Sequence, residues 1–208
     1  MTDEQIKRRN KSGSFWRELP VLLAVALVVA FLVRQFVVQT FFIPSESMEH
    51  TLDRNDHVLV NKLVYDFRTP AAGEIIVFEA PESWRDVQEH EDFIKRVIGA
   101  PGDRVVCCDP QGRIAVNGHP LDEPYVYPGN KMAPSAFDIT VPEGRLWVMG
   151  DHREASADSL ANYNSHGHDL QQATIPVDAV IGRAFVLFWP FDRSTWLTTP
   201  ETFDGVRQ

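Results

Sequence analysis

Residues 93–103 read FIKRVIGAPGD, and how this stretch divides decides the fold. On an extended backbone Phe93, Lys95 and Val97 point to one face, and Ile94, Arg96 and Ile98 to the other. Pro101-Gly102-Asp103 is tight-turn chemistry, because proline presets its own φ and glycine accepts a positive one. A strand that turns at once into a second strand, 104–108, is the beginning of an antiparallel sheet. Working outward, residues 57–62 (HVLVNK), 74–78 (EIIVF), 114–116, 137–141, 146–149 and 179–188 also read as short strands, and Asn117-Gly118 signals a hairpin. No amphipathic helix is expected among them. The fold class expected is all-β: an antiparallel β-barrel or sheet as the main body, formed by 43–104 and 146–191. A small β insertion is expected over 105–145, and a loosely ordered tail over 192–208.

The amino-terminal part is different in kind. Residues 19–33 (LPVLLAVALVVAFLV) carry no charge and no polar side chain, and extension back through Phe15 and Trp16 and on to Phe42 reaches membrane-spanning length. A transmembrane helix with an interfacial segment is expected over 19–42, after a basic segment, 1–18, with Lys7, Arg8, Arg9, Lys11 and Arg17. That charge bias puts the amino terminus in the cytoplasm and the body outside the plasma membrane. No small-x-small site follows Val33, which argues for an uncleaved anchor over a removable signal peptide. The basic flank and an apolar circumference argue against a buried core helix.

The formal net charge is −9, and the basic segment makes the remainder more acidic still. Such a body is a poor partner for nucleic acid. The two cysteines, Cys107 and Cys108, are adjacent. They fit neither a metal spacing nor a disulfide framework, and a vicinal disulfide and two separate thiols both remain open. His166-Gly167-His168-Asp169 reads as a solvated loop without further clustered ligands, so no metal and no cofactor is expected.

The candidate chemistry begins at FFIPSESMEHTL, residues 41–52. Pro44 holds Ile43 in extended geometry, so the chain runs as a strand edge into a turn that displays Ser45 and Ser47. A serine hydroxyl attacks only when a base takes its proton, and nothing nearby in sequence can do so. His166 and His168 lie in a polar loop, His90 in an acidic run and His119 after a hairpin turn. Lys95 instead lies in an apolar strand. An interior position would depress its pKa and suit it as a general base, whereas an edge strand would let it snorkel to solvent.

The segments PSESM (44–48), GEIIVF (73–78), FIKRVIGAPGD (93–103) and GDHREASADS (150–159), in this order after an apolar span, resemble the four motif boxes of the bacterial type I signal peptidases. The likeness runs with gaps to about Pro190, where IPVDAVIGRAFVLFWP (175–190) is similar to the family's closing strand. It implies a membrane-bound serine endopeptidase that cuts signal peptides from exported preproteins after a small-x-small site with a Ser-Lys dyad. The partners implied are preproteins, membrane lipid and the nearby secretion machinery. By the same resemblance Ser47 is the nucleophile, Lys95 the base, Ser45 an oxyanion donor and Ser156 the group that holds Lys95. Phe41, Ile43, Pro44, Met48, Leu52, Val77, Phe93 and Ile94 line the substrate pockets. Arg96 is expected to point away from the base and pair with Asp151 or Asp158.

The chain departs from the family pattern at Leu160, where arginine is usual, at His50, where proline is frequent, and over 152–155. Two other readings compete. Self-cleaving Ser-Lys repressors share a similar core but carry a soluble or DNA-binding amino-terminal arm. A membrane-tethered β adaptor with a decayed site has no need of Ser45, Ser47, Lys95 and Ser156 together.

Overall fold

A computed structural model describes residues 12–85 and 91–206. Lys7, Arg8, Arg9 and Lys11, the side chain of Arg17, and His90 lie outside the described residues. Two compact units divide between Val37 and Val38.

The first unit contains helix α1, Ser12–Phe36, with Pro20 inside it and Arg34 in its last turn. Leu22, Leu27, Val28 and Phe31 all stand more than half exposed along it. Among the described residues, no helix is long and apolar enough to cross a membrane. The uncharged stretch 19–33 rises about 22 Å, against a hydrocarbon core of about 30 Å.

The second unit is a strongly curled antiparallel β structure, as expected. Its strands are β1 Val38–Phe42, β2 His57–Asn61, β3 Ile75–Glu79, β4 Asp92–Gly99, β5 Arg104–Cys107, β6 Ile114–Val116, β7 His119–Pro120, β8 Phe137–Thr140, β9 Arg145–Met149, β10 Ile175–Pro176, β11 Val180–Trp189 and β12 Thr195–Trp196. The larger sheet runs β1-β2-β11-β3-β4-β9-β10, with β12 on β11; the smaller runs β7-β6-β5-β8 over the expected insertion. Residues 38–42 are therefore strand rather than a continuation of the apolar span, with Phe41 opposite Val58.

The larger sheet buries both faces. Ile75, Val77 and Ile94 pack with Val58, Val60 and Leu187, while Ile76, Phe78 and Val97 pack with Leu146 and Val148 on the reverse side. Two covered faces explain why EIIVF is a continuous apolar run and not an alternating one. β4 bends into the small sheet at Gly99, where the register with β9 shifts. A Cβ there would overlap the side chains of Val105 and Val141, so only glycine lets the two sheets approach this closely.

Two expectations are corrected, and one open alternative is decided. Helices α2 Val64–Phe67, α3 Ser159–Ser165 and α4 Leu170–Ala173 do interrupt the strands. They are too short for an apolar period; α3 is set instead by Asp158, whose carboxylate caps Leu160 N and Ala161 N. Segment 192–208 is not loose where it is described. Phe203 is fully buried and stacks on Tyr125, and Val206 joins the core under the small sheet. Cys107 and Cys108 are joined as a vicinal pair.

Arg193 also ties this segment down, pairing with Asp53 and, at 3.2 Å, with Asp56. The Asp56 carbonyl accepts from Ile43 N at 2.9 Å, so the pairing reaches the edge of the cleft described below. Burial pushes the Asp56 carboxyl up to about 6; His57 opposes this and Asp192 adds to it. A carboxyl that binds its proton more tightly when folded stabilises the fold at low pH. That contribution is lost as pH rises from the ordinary value of 3.8 through about 6. Asp56→Asn should remove this component, seen as a flatter dependence of the unfolding midpoint on pH in that window. Parallel curves for parent and variant would contradict it.

Candidate active site

Ser47 lies in a turn closed by Glu49 N to Glu46 O and Leu52 N to Met48 O. The turn follows the extended Ile43 and Pro44 and lifts the serine out of the sheet. Lys95 comes from β4, which pairs with β3 along residues 92–96 and with β9 only from Arg96 onward. Only 3% of Lys95 is exposed, which rules out snorkelling. Its Nζ donates to Ser47 Oγ at 2.7 Å and to Ile94 O at 3.1 Å, and stands 5.3 Å from the Phe93 ring centroid. Ser45 Oγ lies 3.3 Å from Ser47 Oγ. A buried amine in hydrogen-bond contact with a hydroxyl can accept that hydroxyl's proton, provided burial keeps the amine neutral.

Segment 150–158 closes the other side. Gly150 packs so tightly that a Cβ would overlap both Ser156 Oγ and the Ser47 carbonyl oxygen, and His152 N donates to that same carbonyl at 3.1 Å. Ser156 therefore lies beside the pair, but its Oγ is buried with no hydrogen-bond partner among the described residues, so the expected bond to Lys95 is not made. The orphan hydroxyl lies near Asp158, another buried group. Burial raises the Asp158 carboxyl above its usual range, while Gly150 N and the charge of Lys95 draw it down. Leu160, where arginine was expected, is buried in the core, and Asp158 is satisfied by backbone donors: Gly150 N at 3.0 Å and the first turn of α3.

Arg96 points away from Lys95, as alternation requires, and grips Asp151 through Nε at 2.9 Å and Nη2 at 2.6 Å. Burial alone would lower its pKa, but Asp151 more than offsets this and keeps it charged. Thr51 donates to the same carboxylate at 2.5 Å, so the Ser47 turn and segment 150–158 share one anchor.

A cleft of about 270 Å³ opens at the serine. Phe41, Ile43, Pro44, Val77, Phe93 and Ile94 line it as expected; Phe42, Asp92, Ala155 and Ala157 line it too and were not foreseen. Met48 and Leu52 do not reach it. One turn apart, they share the inner face of the Ser47 turn and are fully buried behind it. Ala155 and Ala157 flank Ser156, and that spacing was the signal available for them. Among the described residues no His, Cys, Asp or Glu cluster could hold a metal ion.

A family model described as "Signal peptidase, peptidase S26" matches residues 16–189. A probable signal peptidase I-2 of Synechocystis is 37% identical over 96% of this chain and 85% of its own length. The signal peptidase I of Mycobacterium tuberculosis is 37% identical over 92% of this chain and 78% of its own length. A crystal structure of a signal peptidase I from Enterococcus faecalis aligns with a TM-score of 0.40 at 26% identity, over 56% of this chain and 97% of that one. The matched stretch contains both Ser47 and Lys95, and the chain belongs to the signal peptidase family, peptidase S26.

Proposed function

We propose that this chain is a membrane-bound serine endopeptidase that removes signal peptides from exported preproteins with a Ser47-Lys95 dyad. One observation carries the reading: a buried Lys95 Nζ at 2.7 Å from Ser47 Oγ, at the floor of an apolar cleft. Neutral Lys95 takes the Ser47 proton as the hydroxyl attacks the scissile carbonyl. The ammonium then returns it to the leaving amine. The tetrahedral oxygen gains its negative charge where Ser45 Oγ and the Ser47 N–H converge. Ser156 enters as a positioning group, close to Lys95 without bonding it.

An extended peptide lies as an added strand along residues 43–45 and 92–95, its side chains alternating into the cleft. Phe41, Val77 and Phe93 leave room for small side chains and exclude large ones sterically. A preprotein with an Ala-x-Ala site should therefore be cut by the detergent-solubilised chain. Leu in place of the last Ala should slow cutting about 10- to 100-fold, the cost of overfilling a packed space. Equal rates for both substrates would refute this reading of the cleft.

The anchor belongs to the same proposal. The uncharged part of α1 is shorter than a bilayer core, so the proposed anchor requires Glu18 and Arg34 to extend to the two interfaces; the helix flank is exposed aliphatic surface. The body then lies outside the cytoplasm and beside the lipid in which a signal peptide's apolar segment is still held. Phe42, Trp189, Phe191 and Trp196, all prominently exposed, suit an interfacial position there, near the point of export.

A further inference from the structure

Within the proposed peptidase reading, on which this inference rests, we propose that Glu123 of the insertion is a positioning residue for catalysis, acting through Arg153. The two side chains are fully buried and paired, Nη2 to Oε1 at 2.6 Å and Nη1 to Oε2 at 3.2 Å. Tyr125 OH donates to the same carboxylate at 2.5 Å. Arg153 also donates to two carbonyls, Met132 O and, through Nε at 3.0 Å, Gly150 O.

Gly150 is the peptide unit that cannot move without moving the site. Its N–H is held by Asp158 and its carbonyl by Arg153, while its Cα has no clearance from the Ser47 carbonyl or Ser156 Oγ. Two residues on, His152 N holds the Ser47 carbonyl directly. Glu123 therefore fixes the fork of Arg153, Arg153 fixes the Gly150 carbonyl, and that peptide sets the spacing between the nucleophile turn and Ser156. None of these groups touches the reacting atoms.

Stability alone is a weak reason for such a pair. Removing two ions from water costs about as much as their attraction returns, and apolar residues of like volume commonly serve as well. What apolar residues cannot supply is a directed donor to Gly150 O. The small sheet thus contributes geometry to a centre whose reactive groups all come from the larger one.

The test uses the full chain in detergent with the Ala-x-Ala preprotein, Ser47→Ala as the inactive control, and two variants. Glu123→Gln should lower kcat about 10- to 100-fold, the effect of misplacing a reacting group by about 1 Å, with KM within about twofold of the parent. The double variant Glu123→Leu/Arg153→Met should unfold near the parent's Tm yet keep the kcat defect. A folded Glu123→Gln with the parent's kcat overturns the proposal, as does a double variant with kcat restored, which would make the pair mere filling. Loss of fold in both variants overturns it too, because the pair would then be a folding element. A parent that does not cut, or a control that does, refutes the peptidase reading itself and the proposal with it.

Discussion

Ser47→Ala should leave no processing that kinetics can follow, a fall of about 10⁶-fold in kcat, as expected for a nucleophile acting as a unit with its base. The variant removes one oxygen from a turn whose backbone bonds, Glu49 N to Glu46 O and Leu52 N to Met48 O, do not depend on it. The fold should therefore be unchanged by circular dichroism. Ser45→Ala is the informative partner. It takes away one of two oxyanion donors and should cost about 10²- to 10³-fold, leaving slow but measurable cutting. Full loss in Ser45→Ala beside activity in Ser47→Ala would exchange the two roles, and the 3.3 Å between the hydroxyls makes that a real contest.

Replacing Lys95 tests the other half of the dyad with a comparable effect. Lys95→Met keeps the length of the side chain and removes the proton acceptor; Lys95→Arg keeps the charge and cannot give it up near neutral pH. Both should lose at least about 10⁴-fold in kcat, the upper range of general-base catalysis. Lys95→Met should fold as well as the parent, since it exchanges a 3%-exposed amine for an apolar group. With Lys95 as the proposed base, activity should rise with pH, since only the neutral amine accepts the serine proton. No histidine should substitute for it, so single replacement of the seven should not reproduce the loss. An arginine variant with near-parental kcat would show that charge, not basicity, is what position 95 supplies.

Local pattern carried the strands into view from sequence, while the pairing of Ser47 with Lys95 came only with the motif resemblance. The alternation of FIKRVI set Lys95 and Arg96 on opposite faces, and the folded chain has Lys95 on Ser47 and Arg96 on Asp151. β1 was missed for a physical reason. Past Arg34 and Gln35, Phe36 and Val37 resume the apolar character and lead straight into VQTFF, and hydropathy cannot tell a span's continuation from a strand. Met48 and Leu52 were misplaced because a list of apolar residues says nothing about which side of a turn each one takes. That Ser156 Oγ makes no bond to Lys95 was beyond any motif. Least visible was the Glu123–Arg153 pair, whose partners lie 30 residues apart and read separately as surface charges.

The burial of Phe203 and Val206 bears on when this protein can fold. Strands β5 to β8 end at Thr140, yet their core is completed by side chains that the ribosome adds about sixty residues later. At roughly 5–20 residues per second, the small sheet waits several seconds with Ile114, Val116 and Tyr125 uncovered. If the chain is exported amino terminus first, as proposed, that delay falls during passage, when an unfinished core is an advantage: the segment is still thin enough to thread. Phe203 and Val206 then close the core on the far side, and the small sheet packs fully only after they have followed it across.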